Sequence, residues 1–292
     1  MSLGALGIVH AVLLKTTGRY LLNSSMSHIP FGQISRALNT LDFTDSGIPD
    51  QTRRPYFFQA IFDPRSLDKA YVTIRYKEGC PPGYVPDYNI VSGSEPGTDV
   101  PRLIGAAIRM FPDLRDTAVS LLMASELRVR ADLPSEWATP GEAYTFTSAR
   151  EGIASSGFCV PIAQVTRALA VMQTAFLVHK SAPVVFTCRY AAKSPGILSF
   201  TRFDPGCVID IDGIDTPATR KLITLAGDRL VAAGIPFTYH WGKMNNQSKS
   251  RIDAVYGGAV TRWNNARRRL LPDAPERDAF SSPALDSWGL NG

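Results

Sequence analysis

The sequence predicts an α+β fold: an antiparallel sheet with helices packed on one face. Three observations predict it. Aromatic and β-branched runs at 56–62 and 70–76 flank the polar turn Asp63-Pro64-Arg65-Ser66, the pattern of antiparallel neighbours. Residues 163–179 carry apolar side chains at helical spacing and form the clearest amphipathic helix in the chain. Strand-like runs at 183–190, 196–203 and 207–214 come next, then a helix at 216–233 whose start is signalled by Asp215-Thr216-Pro217. Strands and helices joined by short links bury their apolar sides against one another, which gives a layered α+β architecture.

The remaining elements are read in chain order. Residues 20–30 read as extended, and 31–41 as a short helix ended by Asp42. Residues 78–98 are rich in Gly and Pro and read as a long loop. Two helical patterns, 100–111 and 113–127, are parted by Pro112, and 134–156 is polar and irregular. Residues 158–162 lead into the amphipathic helix. No internal repeat is apparent.

Composition narrows the function classes. A chain of 292 residues, 45% hydrophobic, is long enough for a substantial core in one or two domains. The net charge of +5 is scattered, except for Arg262, Arg267, Arg268 and Arg269, which share one predicted helix with Trp263. Nucleic-acid binding through that helix is a minor reading, because no basic stripe is interleaved with stacking aromatics. Cys80, Cys159, Cys188 and Cys207 are widely spaced and read as reduced thiols of a cytoplasmic protein, without a disulfide frame or metal site. The apolar opening, residues 2–9, passes into a strand-like run that Lys15 ends well short of a membrane span, so no integral membrane segment is expected.

The densest chemistry lies in residues 236–245, Pro-Phe-Thr-Tyr-His-Trp-Gly-Lys-Met-Asn. Gly242 allows close backbone approach, Trp241 offers a rigid apolar surface and Lys243 a point charge. Two readings stand: the wall of a site, or a turn with a buried Trp.

His240-Trp241-Gly242-Lys243, with Tyr256-Gly257, Trp263, an Arg-rich helix and Leu270-Leu271-Pro272 after it, resembles the C-terminal end of FAD-linked oxidases of the vanillyl-alcohol-oxidase type. The aldonolactone and alditol oxidases and the FAD-linked sterol oxidases look most alike. Residues 2–15 resemble the last motif of the flavin domain of the same enzymes, in the order the family requires. The resemblance implies a ferredoxin-like cap domain over 20–235, a flavin-facing segment over 236–292, and at 1–19 the tail of an FAD-binding domain that is otherwise absent. In the relatives a Glu-x-Arg strand, a Leu-Ser strand and a His-x-Thr strand precede the Lys. Here Thr187-Cys188-Arg189, Leu198-Ser199 and Asp210-Ile211-Asp212 take those places, so Arg189 is kept and the Glu, His and Thr are replaced. Glu126-Leu127-Arg128 spells the motif but lies too early and reads as solvated helix charge.

The same resemblance implies the site residues. Arg189, Lys243 and His240 are the catalytic candidates. Trp241, Asn245, Thr187, Asp210 and Asp212 bind substrate, and Gly4, Gly7, Arg189, His240 and Gly242 approach FAD. Thr187 and Arg189 share one face of an extended segment, and Asp210 and Asp212 are likewise in phase. Arg189 therefore either meets the flavin or forms an ion pair with Asp210 or Asp212. His240 either orients Lys243, accepts a proton, or caps a strand end. His10, His28 and His179 show no ligand-like spacing. The expected function is the substrate-binding half of an FAD-linked oxidoreductase that oxidises a small-molecule hydroxyl. With no glycine-rich phosphate cradle, the chain is expected not to retain FAD alone and to need a separate FAD-binding domain. The rival is a non-enzymatic remnant cap that binds a ligand or protein and exposes an apolar patch around Trp241, with homo-oligomerisation as one outcome.

Overall fold

The computed structural model describes residues 1–86, 112–114, 117, 120, 136–144, 152–178 and 182–292. The expected helix at 100–111, most of the helix at 113–127, Glu126-Leu127-Arg128, His179 and most of the 78–98 loop lie outside the described residues.

The elements are β1 (Tyr20–Pro30), α1 (Phe31–Thr40), β2 (Phe57–Asp63), β3 (Ser66–Gly79), β4 (Glu136–Ala138) and α2 (Pro140–Ala143). They continue with β5 (Ile153–Pro161), α3 (Val165–Val178), β6 (Val184–Ala191), β7 (Gly206–Ile214), α4 (Pro217–Ala232) and β8 (Thr238–Tyr239). Four helices close the chain: α5 (Lys249–Tyr256), α6 (Gly258–Leu270), α7 (Ala274–Ala279) and α8 (Pro283–Trp288). The strands form one sheet in the order β4-β1-β3-β2-β6-β7-β5-β8, with antiparallel pairings throughout.

Period-two alternation divides the sheet into two faces. Phe58, Ala60 and Phe62 of β2, Phe186 and Cys188 of β6, and Ile209 and Ile211 of β7 turn to the helices. There Leu38 of α1, Leu169 and Phe176 of α3, and Leu222 and Leu230 of α4 complete the main core. The expected one-sided antiparallel α+β layer is what forms. Thr216 caps α4 by accepting from the Thr219 N–H, as the Asp-Thr-Pro signal requires.

Several expectations are corrected. Residues 196–203 are a turn-bearing loop, not a strand: Pro195 and Pro205 bracket it, and the carbonyls of Leu198 and Phe200 accept side-chain bonds from Trp241 and Thr238. Within 134–156 the chain forms β4, α2 and the start of β5, and a Thr139–Glu142 capping box opens α2.

The chain also contains a repeat where none was expected. Residues 29–38, Ile-Pro-Phe-Gly-Gln-Ile-Ser-Arg-Ala-Leu, and 160–169, Val-Pro-Ile-Ala-Gln-Val-Thr-Arg-Ala-Leu, match at five of ten positions. Each is the strand-to-helix junction of a β-α-β-β unit, with Pro30 and Pro161 in nearly the same conformation (φ −56°, ψ 141° and φ −58°, ψ 141°). The units β1-α1-β2-β3 and β5-α3-β6-β7 meet at β2 and β6, so the sheet order reads symmetrically outward from that seam. One ten-residue junction carries the similarity, which is why it escapes a scan for periodicity.

Residues 3–6 and the C-terminal helices build a second apolar cluster around Trp241, Tyr256, Trp263 and Leu285. Trp263 Nε1 donates to the Met1 carbonyl (2.8 Å) and Arg267 Nε to that of Ala5 (3.0 Å). Arg267, grouped with Arg262, Arg268 and Arg269 on one predicted helix, is fully buried. No strand is assigned over residues 8–19, and Ile8, Val9, Val12, Leu13 and Leu14 are exposed there.

Candidate functional site

The sheet face opposite the helices holds the polar residues of β5, β6 and β7 side by side. Register fixes their neighbours: Thr187 lies opposite Asp210, Asp210 opposite Gly157, and Asp212 opposite Ser155. β8 then carries His240 onto this face, since the His240 N–H donates to the Gly157 carbonyl (2.8 Å).

Asp210 is the centre. It is 2% exposed, and its two oxygens accept from two cations: Lys243 Nζ reaches Oδ1 at 2.6 Å and Arg189 Nη1 reaches Oδ2 at 3.1 Å. Lys243 Nζ also lies 3.4 Å from Asp212 Oδ1, which Ser155 Oγ bonds as well. Gln59 of β2 accepts from Arg189 Nε (2.8 Å) and fixes the outer end of the array. Burial pushes the Asp210 carboxyl above the ordinary carboxylate range, and the Asp212 charge adds to this, against the pull of Lys243 and Arg189. Of the two possibilities for Arg189, the structure shows the ion pair: it pairs with Asp210 while its side chain stays 45% exposed.

His240 is held below the ordinary imidazole range, first by burial and then by the Lys243 charge. Its Nδ1 accepts the Gly242 N–H (3.1 Å), so the neutral ring carries its proton on Nε2. That makes His240 a donor on its free edge. Its ring rests on Phe200 at 4.5 Å.

The structure brings together Arg189, Asp210, Asp212, Thr187, His240, Gly242 and Lys243. It does not bring Trp241 to this face. Trp241 is buried in the second cluster, stacked on Tyr256 at 5.7 Å, with Nε1 donating to the Leu198 carbonyl (2.7 Å). Its burial overturns the exposed patch expected around it, and exposed apolar residues lie instead between Ile8 and Leu14. Asn245 commits its amide to the turn, donating to the Lys243 carbonyl (2.9 Å) and accepting from the Gln247 N–H (3.2 Å). Gly4 and Gly7 have positive φ (74° and 101°) in the N-terminal turn, which packs against α6.

Sequence reasoning missed Ser155, Gly157 and Gln59. The available signal was Gly157 itself, set between Ser155-Ser156 and Phe158-Cys159-Val160, since a glycine within a strand marks a close approach. A Cβ on Gly157 would lie 2.7 Å from Asp210 Oδ1 and 3.1 Å from His240 Cβ. Gly157→Ala is expected to displace the Asp210 carboxylate from Lys243 and to cost about 1–3 kcal/mol through overpacking. Chemical denaturation checks this, and an unchanged midpoint would refute the close contact.

No family model matches the chain, and no curated protein matches it. Solved structures do. A solvent-stable cholesterol oxidase superposes with a TM-score of 0.60 at 16% identity, over 93% of this chain and 60% of that chain. A VAO-type flavoprotein from Myceliophthora thermophila C1 gives a TM-score of 0.48 at 12% identity, over 87% and 46% of the two chains. A glucooligosaccharide oxidase from Acremonium strictum gives 0.42 at 7%, over 88% and 54%. The chain thus spans 60% of the length of the cholesterol oxidase it resembles. Its α+β fold is that of part of the cholesterol oxidase chain.

Proposed function

We propose that this chain is the substrate-binding part of an FAD-linked oxidoreductase that oxidises a hydroxyl group on an alcohol, polyol, lactone or sterol-like molecule. One observation carries the reading. Lys243 and Arg189 converge on a buried Asp210 on the sheet face that the helices leave free. FAD, when bound, supplies the hydride acceptor. Arg189 fits its electron-rich edge, because it is always charged and more of its donors are free than are bonded.

The chain's own residues position the substrate. Lys243 Nζ, held by Asp210, presents a fixed charge to a hydroxyl oxygen and favours the developing alkoxide. Asp212, with 30% of its side chain exposed, is the accessible carboxylate that takes the hydroxyl proton. His240 donates from Nε2 and orients the same oxygen. Thr187 lines the floor opposite Asp210.

Titrating FAD into the purified chain tests this. The visible flavin band is expected to shift, with FAD lost again on gel filtration. Arg189→Ala and Lys243→Ala are each expected to weaken the response about tenfold, the loss of one charge-assisted bond. A band unmoved at saturating FAD sinks the reading and favours a partner-binding module, which the exposed run from Ile8 to Leu14 supports.

A further inference from the structure

A cavity of about 330 Å³ lies apart from the Asp210 cluster, between the 193–202 loop and the first turn of α6. Lys193, Ser194, Ser199, Arg202, Tyr256 and Arg262 line it, and no carboxylate among the described residues does. None of Arg189, Asp210, Asp212 or Lys243 reaches it. Among the described residues, Lys193, Arg202 and Arg262 form no ion pair.

Three unpaired charges around one space stand out in this molecule. On the open sheet face the cations are paired instead, Arg189 and Lys243 both with Asp210. Like charges gathered around a partly enclosed space repel, and the low-dielectric walls strengthen the repulsion. Arg202 cannot swing away freely. Its Nη1 donates to the Val255 carbonyl and its guanidinium lies 5.3 Å over the Tyr256 ring. Tyr256 is itself buried, and its hydroxyl has no hydrogen-bond partner among the described residues. The serine hydroxyls add donors, and α6 starts at Gly257 without a side-chain cap, so its first-turn N–H groups add positive potential.

We infer that this cavity binds a small oxyanion, the phosphate or carboxylate head of a ligand, with Arg202 as the fixed floor and Lys193 and Arg262 as the rim. A carboxylate and a phosphate share the chemistry that three cations and two hydroxyls recognise. The site is independent of the flavin reading.

Calorimetric titration of the full chain with inorganic phosphate, at ionic strength held constant with chloride, is the test. One saturable site is expected. Lys193→Gln and Arg262→Gln, both exposed and outside the core, are each expected to weaken it about tenfold. Lys221→Gln, exposed on α4, is expected to leave it unchanged. A parallel titration with succinate separates the two chemistries: tighter succinate assigns a carboxylic acid, tighter phosphate a phosphorylated ligand. Heat that never saturates with either anion overturns the site. So does an affinity that the double variant of Lys193 and Arg262 retains.

Discussion

Lys243→Met is expected to lower the unfolding free energy by about 2 kcal/mol at neutral pH, and by less as the pH falls. The size of the loss is set by burial. Asp210 is almost fully enclosed, and Lys243 is its nearest cation, so the variant leaves a buried carboxylate with Arg189 alone. Breaking a fully buried pair costs about 3–5 kcal/mol, and the lower figure reflects the 23% exposure of the Lys243 side chain and the surviving Arg189 contact.

Its pH dependence is set by proton linkage. The Asp210 carboxyl sits above its ordinary value in the folded chain, with burial as the main cause. A raised carboxyl holds its proton more tightly folded than unfolded, so its favourable contribution is present below the unfolded value and lost as pH rises through the folded one. Removing Lys243 raises that carboxyl further. The variant's deficit is therefore expected to shrink as acid neutralises Asp210. Urea denaturation of both proteins across the acid range reads the difference. A deficit that stays constant down to the carboxylate range would mean that Lys243 contributes packing, not charge.

Strands β1, β2, β3, β6 and β7 and the two large helices were legible because apolar periodicity and the Asp215-Thr216-Pro217 start signal are local. What packing decides was not. Residues 196–203 have a strand's composition, but the carbonyls of Leu198 and Phe200 are taken by the Trp241 and Thr238 side chains, so no ladder forms there. The site was half legible. Arg189, Asp210 and Lys243 were named by the family resemblance, alternation put Arg189 on a face with Thr187 and Asp210 on a face with Asp212, and register then joined them. Ser155 and Gln59 come from strands whose pairing with β7 and β6 is non-local, and no local pattern announces that pairing. Trp241 shows the same limit. His240 and Lys243 turn to the open face while the indole between them goes the other way, and that division depends on the C-terminal helices that receive it.

That division makes Trp241→Ala the most costly change expected at the motif. The indole is 7% exposed and wedged between Tyr256 at 5.7 Å and Trp288 at 5.3 Å. Its Nε1 pins the Leu198 carbonyl, and with it the loop that also carries Phe200, against which the His240 ring packs. Truncating a buried Trp leaves a cavity that its neighbours refill only in part, at about 3–5 kcal/mol. Trp241→Phe keeps most of the packing but strands the Leu198 carbonyl, and is expected to cost about 1–2 kcal/mol. The ordering of the two variants is the informative measurement. A wall residue facing substrate would leave the denaturation midpoint of both near that of the parent chain and change only binding. A core residue gives a large loss for Ala, a small one for Phe, and release of the Trp288 fluorescence environment as the C-terminal helices loosen. Equal midpoints for all three proteins would return Trp241 to the open face, and Leu198 would then need another partner.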